Sequence, residues 1–310
     1  MLKSRHILGI SHLSPDEISF ILDTAQSMKE IMDRPIKKVP PLRGKTIVNL
    51  FFEPSTRTKL SFELAAKRLS ADTVGIAAST SSVVKGETLI DTARNIEAMR
   101  PDIIVMRHSM SGAPHLIANH VESAVINAGD GTNEHPSQAL LDLMTVREHF
   151  GTLNGLNVTI IGDIAHSRVA HSDIMAFSMM GARVTVCGPA TMMPPDPDAL
   201  GARVCLDLNK AVKDAHVVMA LRIQKERQGS LPLFPSEREY ARSFGLSRAV
   251  TSELRKDAII MHPGPINRGV EMSPEVADSI NSVILEQVTN GVAVRMALFT
   301  LLLTDQQKLP

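Results

Sequence analysis

The sequence predicts an α/β protein with two doubly wound parallel-sheet domains. Short apolar, β-branched runs alternate with helical patterns along all 310 residues, as expected for parallel sheets with crossover helices. The alternation starts afresh near Gly151, so residues 1–150 and 151–310 read as two similar domains. Polar and cationic residues follow one strand after another, and ligands in such folds bind outside the carboxyl ends of strands. An active site in a cleft between the two domains is therefore expected.

Ser14-Pro15-Asp16-Glu17 opens the first helix with a capping Ser, a Pro at the first helical position and acids in the first turn. Ile18, Ile21, Leu22, Ala25, Met28 and Ile31 continue it, and Pro35, Pro40 and Pro41 end it. Thr46–Phe52 reads as a buried strand. The turn Ser55-Thr56-Arg57-Thr58 follows, then a helix with Leu60, Leu64 and Leu69 as its apolar face and Glu63 and Lys67 as an i,i+4 pair. A strand, a tight turn and a helix start aim backbone N–H groups outward at the positive end of the helix dipole. Ser55 is placed to cap the helix. Thr56 and Thr58 add hydroxyl donors, and Arg57 adds a planar charged fork suited to phosphate. The stretch reads as an oxyanion cradle.

A strand over Thr73–Ala78 leads into a small polar loop carrying Ser81, Ser82 and Lys85. A helix over Leu89–Met99 and a strand over Asp102–Met106 deliver Arg107. The strand Ser123–Asn127 runs into a loop whose Gly129 and Gly131 let backbone approach a ligand. Pro136 opens a helix with Ala139, Leu140, Leu143, Met144 and Phe150 as its apolar face, stopped by Gly151. His135 and Gln138 thus stand at a helix N-terminus.

In the second half, Val158–Ile161 is a strand ending at Gly162-Asp163, and Arg168 lies at the start of the next helix, with Val169, Ile174 and Phe177. Strands over Arg183–Cys187, Val204–Leu206 and His216–Leu221 follow, with a helix fragment over Lys210–Ala215; the last strand delivers Arg222. The polar stretch Gln224–Gly245 reads as a long functional loop or lid. Ala258–Met261 is a strand entering His262-Pro263-Gly264-Pro265, and a helix over Pro274–Leu303, broken at Asn290-Gly291, closes the chain.

Lys plus Arg equals Asp plus Glu, 33 each, which argues against a general nucleic-acid binder. Trp is absent and Tyr occurs once, so base-stacking platforms are not expected. Cys187 and Cys205 sit in apolar runs without metal-ligand spacing and are expected to stay reduced. No long apolar run follows the first basic residues, and no apolar segment reaches the roughly 20 residues a bilayer requires. A soluble cytoplasmic protein without nucleic-acid or membrane partners is expected.

The strand ends collect Arg57, Arg107, Arg168, Arg222, Lys85 and His135. Paired carboxylates for glycosidase chemistry and a G-x-S-x-G elbow are absent from these positions. Gly162-Asp163-Ile164-Ala165-His166-Ser167 lacks the dinucleotide phosphate turn, and no HExxH spacing occurs. Neither a catalytic metal nor a cofactor is expected. An arginine-rich cleft without a nucleophile suits positioning and electrostatic stabilisation of anionic reactants. That implies group transfer between a phosphate-bearing compound and an anionic acceptor.

Ser55-Thr56-Arg57-Thr58 resembles the S-T-R-T phosphate motif of the transcarbamoylases, and His135-Pro136-Ser137-Gln138 resembles their H-P-x-Q motif. Lys85-Gly86-Glu87-Thr88 and His262-Pro263-Gly264-Pro265 resemble the aspartate branch of that family. The ornithine branch typically carries a Cys in an H-C-L-P segment. The enterobacterial aspartate type reads H-P-L-P and has a second Lys where Val84 stands here. This chain is closer to the H-P-G-P branch, which argues against coupling to a regulatory chain.

The resemblance implies carbamoyl transfer from carbamoyl phosphate to the amine of L-aspartate, giving N-carbamoyl-L-aspartate and phosphate, in pyrimidine biosynthesis. It implies no cofactor and no covalent intermediate. It makes residues 1–150 a carbamoyl-phosphate-binding domain and 151–310 an aspartate-binding domain, with the last helix, about 285–310, packing back on the first. By motif, Ser55, Thr56, Arg57 and Thr58 hold the phosphate. Thr58, Arg107, His135 and Gln138 hold the carbamoyl end, the first three as oxyanion donors. Backbone at Gly264 and Pro265 accepts from the carbamoyl NH₂. Arg168, Arg222 and Gln224 bind aspartate, and Lys85, with Ser81 or Ser82, enters from a neighbouring subunit of a homotrimer with shared sites. Some members of the family associate with dihydroorotase or with a regulatory chain. Two alternatives stand beside this reading: a transcarbamoylase for another amine, and a non-enzymatic scaffold, which should have lost the anion-site residues.

Overall fold

The computed structural model describes residues 2–77, 86–196, 201–223 and 233–304. The first sheet holds β1 (Thr46–Phe51), β2 (Asp72–Ala77), β3 (Ile103–His108) and β4 (Ala124–Asp130) in the order β2-β1-β3-β4. The second holds β5 (Asn157–Ile161), β6 (Arg183–Cys187), β7 (Ala202–Val204), β8 (Val217–Ala220) and β9 (Ile259–Met261) in the order β7-β6-β5-β8-β9. Every pairing in both ladders is parallel. The expected α/β class is therefore present. The interior strands β1, β5 and β8 are mostly apolar and buried, as sheets covered on both faces require.

Met1–Met144 with Thr289–Pro310 form one compact unit, and Thr145–Val288 the other. The division falls inside two helices, α5 (Pro136–Phe150) and α11 (Ile284–Thr304). The remaining helices are α1 (Pro15–Met32), α2 (Thr56–Arg68), α3 (Leu89–Glu97), α4 (Ala113–Ala118), α6 (Arg168–Met179), α7 (Leu208–Val212), α8 (Glu237–Phe244), α9 (Arg248–Thr251) and α10 (Pro274–Ala277). Helix α1 starts as its sequence indicates. The Ser14 hydroxyl accepts from the Glu17 N–H, and the Glu17 carboxylate accepts from the Ser14 N–H at 2.9 Å, with Pro15 in the first turn. Gly151 ends α5, its N–H donating to the Arg147 carbonyl at 2.8 Å.

Four expectations are corrected. On α2, Leu60 is 52% exposed and Leu64 also faces solvent, whereas Phe62, Ala65, Ala66 and Leu69 are buried. Both sets fit a helical stripe; the ring of Phe62, tilted against Phe299 with centroids 5.7 Å apart, decides which one faces the core. The polar stretch before Gly245 is not all loop. Ser236 caps α8 by accepting from the Glu239 N–H, and the Tyr240 ring lies between Phe234 and Phe244.

The closing helix breaks earlier than expected. Asn281 and Val283 exchange backbone hydrogen bonds with Ile260 of β9, at 2.8 and 3.0 Å, which takes them out of helical geometry. Asn290 and Gly291 lie inside α11. A side chain at Gly291 would meet the Arg295 guanidinium at 2.6 Å, so this glycine makes room for a buried arginine. Finally, α11 is long and apolar enough to cross a membrane by length and composition, contrary to expectation; most of it is buried inside the protein, which accounts for its apolarity.

Candidate active site

In the first unit, β1, β3 and β4 are neighbours and run the same way, so their carboxyl ends form one edge. Ser55 to Thr58 leave that edge after β1, Arg107 is the last residue but one of β3, and His135 and Gln138 follow β4 at the start of α5. The Phe52 N–H donates to the Arg107 carbonyl at 2.8 Å, which locks the first turn to the second strand. Arg107 Nε lies 3.3 Å from Glu53 Oε2, and its Nη1 donates to the Ala128 carbonyl at 3.3 Å. The guanidinium is thus aimed by both neighbouring strand ends. Arg57 is exposed on the first turn of α2, while His135 and Gln138 are buried.

Ser55 stands at the N-cap of α2 in an extended conformation, yet its hydroxyl makes no cap hydrogen bond. This corrects the expected cap. The first N–H groups of a helix have no intrahelical acceptor, and here the residue best suited to satisfy one does not. The Ser55 hydroxyl is thus not committed to the helix. We expect Ser55→Ala to change stability by less than about 0.5 kcal/mol, where losing a working Ser cap costs about 1. The same variant should weaken inorganic phosphate binding severalfold, read by urea titration and calorimetry. A full cap-sized destabilisation would overturn this assignment.

Buried carboxylates fold the loop before α5. Asp130 is fully buried; its oxygens accept from Asn127 Nδ2 at 2.7 Å, the Gly112 N–H at 2.7 Å, Asn133 Nδ2 at 3.0 Å and the Glu134 N–H at 3.2 Å. Glu134 accepts from the Ile10 N–H at 2.7 Å and from Ser11 Oγ at 2.9 Å. His135 therefore extends from a fixed frame. The frame itself requires Gly131: at φ +49°, a Cβ there would meet the Ser111 N at 2.7 Å and the Ser109 carbonyl at 3.0 Å. His108, next to Arg107, is held below the ordinary histidine pKa by burial, against the raising influence of Glu53 and Asp130.

Behind the turn, Arg295 of α11 is buried beneath Phe62, its guanidinium carbon 4.8 Å from the ring centroid. Burial pushes its pKa down to about 9; Asp142 opposes this, and the like charge of Arg57 adds to it. Arg57, Arg295 and Asp142 therefore share one local field.

In the second unit, β5, β8 and β9 are neighbours, so Arg168, Arg222 and the turn after β9 leave one edge. Arg168 is buried at the start of α6, whose cap Ser167 accepts from the Ala170 N–H. Asp163 fixes the preceding turn by accepting from the His166 N–H at 3.2 Å and lying 2.8 Å from its Nδ1. Arg222 is half-buried just beyond β8. His262 Nδ1 accepts from the Gly264 N–H at 2.7 Å, so the ring proton sits on Nε2, 3.2 Å from Glu271 Oε1. Glu271 also accepts from the Asn267 N–H at 2.6 Å, and Gln287 accepts from the His262 N–H at 2.9 Å. The Gly264-Pro265 turn is thereby built on a buried imidazole–carboxylate pair.

Ser55, Thr56, Arg57, Thr58, Arg107, His135 and Gln138 thus gather at one sheet edge, and Arg168, Arg222, Gly264 and Pro265 at another. Lys85, Ser81, Ser82 and Gln224 lie outside the described residues. Glu53, Asp130, Asp142, Glu271 and Arg295 were not singled out by the sequence. Among the described residues no group of three or more His, Cys, Asp or Glu could hold a metal ion. The inventory is donors and cations, which stabilises developing negative charge on an oxygen.

Two family models match the chain. One is the carbamoyl-P binding domain of aspartate/ornithine carbamoyltransferase, over residues 5–148. The other is the Asp/Orn binding domain of the same family, over residues 154–302. The aspartate carbamoyltransferase catalytic subunit of Desulfotalea psychrophila is 64% identical over 297 residues, covering 96% of this chain and 93% of that protein. Among solved structures, aspartate transcarbamoylase from Trypanosoma cruzi in complex with carbamoyl phosphate and aspartate superposes with a TM-score of 0.89 at 29% identity, covering 96% of this chain and 97% of the other. The catalytic subunit of M. jannaschii aspartate transcarbamoylase superposes with a TM-score of 0.85 at 35% identity, covering 99% and 100%.

Proposed function

Because the chain belongs to the aspartate/ornithine carbamoyltransferase family, we infer that it transfers the carbamoyl group of carbamoyl phosphate to the amine of L-aspartate. The products are N-carbamoyl-L-aspartate and phosphate, a step of pyrimidine biosynthesis. The observation that carries this reading is the set of donors converging on one edge of the first sheet: the turn Ser55–Thr58, Arg107, His135 and Gln138.

Each group has a task. The first turn of α2 and Arg57 take the phosphate, by backbone N–H groups, hydroxyls and a charged fork. Thr58, Arg107 and His135 donate to the carbamoyl oxygen, which becomes an oxyanion when the amine adds to the carbon. The carbon–oxygen bond to phosphate then breaks, and the departing phosphate can take the amine proton. Gln138, with backbone at Gly264 and Pro265, accepts from the carbamoyl NH₂. Arg168 and Arg222 suit the two carboxylates of aspartate, with Gln224 beside them. Ornithine would instead need a carboxylate for its distal ammonium.

Assembly as a homotrimer, with Lys85 and Ser81 or Ser82 entering a neighbour's site, belongs to this proposal, as does a cytoplasmic location. The exposed Leu60, Leu64 and Val74 support association. Light scattering should give three times 33.7 kDa. The activity is tested by supplying carbamoyl phosphate with aspartate or with ornithine. Phosphate release is expected with aspartate alone; equal release with ornithine, or none with either, would sink the assignment.

A further inference from the structure

We propose that Asp142 is a positioning residue that fixes which end of the Gln138 amide faces the carbamoyl group. Gln138 and Asp142 lie four residues apart on α5, and Gln138 Nε2 is 3.1 Å from both Oδ1 and Oδ2 of Asp142. An ionised carboxylate only accepts, so the amide end at Asp142 is the NH₂ and the other end is the carbonyl oxygen. Among the described residues, none donates to that oxygen. Gln138 is therefore held as an acceptor at the start of α5. Carbamoyl phosphate carries an NH₂ where acetyl phosphate carries a methyl, and only the first can donate to an oriented carbonyl. Turned over, the same amide would set NH₂ against NH₂.

Asp142 has a second support. It is fully buried, and the Arg295 cation acts on it from α11. Arg295 is itself fixed: Nη1 donates to the Gly291 carbonyl at 2.9 Å, Nη2 reaches Ser137 Oγ at 3.5 Å, and Phe62 covers the guanidinium. Ser137 is the neighbour of Gln138 in sequence, so α11 steadies the same turn of α5 twice. The order is Arg295, then Asp142, then Gln138, then substrate.

This inference rests on the carbamoyl-transfer reading above, and the test separates the two. Dissociation constants are measured for carbamoyl phosphate, acetyl phosphate and inorganic phosphate on the full-length wild type, Asp142→Asn, Gln138→Ala and the double variant. The wild type should prefer carbamoyl over acetyl phosphate by about tenfold, the scale of one buried hydrogen bond. In Asp142→Asn the Arg295 charge favours the new amide's oxygen on its side, leaving an NH₂ toward Gln138, which turns over. The preference should then fall severalfold, the backbone acceptors keeping the remainder, with phosphate affinity within about twofold of wild type. Gln138→Ala should show the same loss, and the double variant no more. Equal weakening of all three ligands in Asp142→Asn, a retained preference, or a further loss in the double variant would overturn the proposal. So would an unchanged preference in Gln138→Ala, which keeps the test decisive if Asp142→Asn does not fold. A wild type that transfers no carbamoyl group would instead overturn the function, not the positioning role alone.

Discussion

Arg57→Ala is expected to lower kcat/KM for carbamoyl phosphate by about 100- to 1,000-fold, the range for losing one donor to developing charge. Arg57 is the charged member of the α2 turn and is exposed, so its removal leaves no cavity. Thermal unfolding should stay within about 2 °C of wild type, and the loss is therefore chemical rather than structural. Arg57→Lys separates charge from shape. An ammonium keeps the positive charge but not the planar two-pronged donor geometry, so it should recover only part of the rate. Steady-state kinetics with aspartate saturating check both variants. Intact turnover in Arg57→Ala would remove the phosphate role from this turn.

The second large effect is on folding. Asp130→Ala should destabilise the protein by about 3–5 kcal/mol, the cost of removing one member of a buried charged network and leaving its donors unpaired. Asp130→Asn should lose most of the same amount despite nearly equal volume. The native side chain accepts at both oxygens, from Gly112 and Asn133 on one and from Asn127 and Glu134 on the other. An amide would turn an NH₂ toward two of these donors. Urea denaturation measures both. If Asp130→Asn were as stable as wild type, the loop would owe its shape to packing and not to this carboxylate.

Much of the fold is legible in the sequence because its strands are short, apolar and β-branched, and because special residues sit just past their ends. Ser55 to Thr58, Arg168 and Arg222 do stand past strand ends as that rule expects, whereas Arg107 is the last residue but one of β3. The misreadings have identifiable causes. On α2, Leu60 and Leu64 weigh more on any hydrophobicity scale than Ala65 and Ala66, so the larger side chains pointed to the wrong face. Helix α8 was masked by charge, although Ser236 and Glu239 spell a capping signal and Tyr240 and Phe244 lie four apart. Gly291 resembled a break because a missing side chain has the same appearance whether it ends a helix or admits a neighbour. The Gln138–Asp142 pair lies within one turn of helix and was readable in principle. Arg295 and Ser137 are 158 residues apart, a contact no local pattern encodes.

The bare Ser55 turn has a consequence for the lifetime of the molecule. A segment usually finished by its own side chain lacks that cap here, so under the proposed function the phosphate-bearing reactant is also a structural part. Vacant enzyme should fray first at this corner, and filling it tightens the segment that carries Arg57.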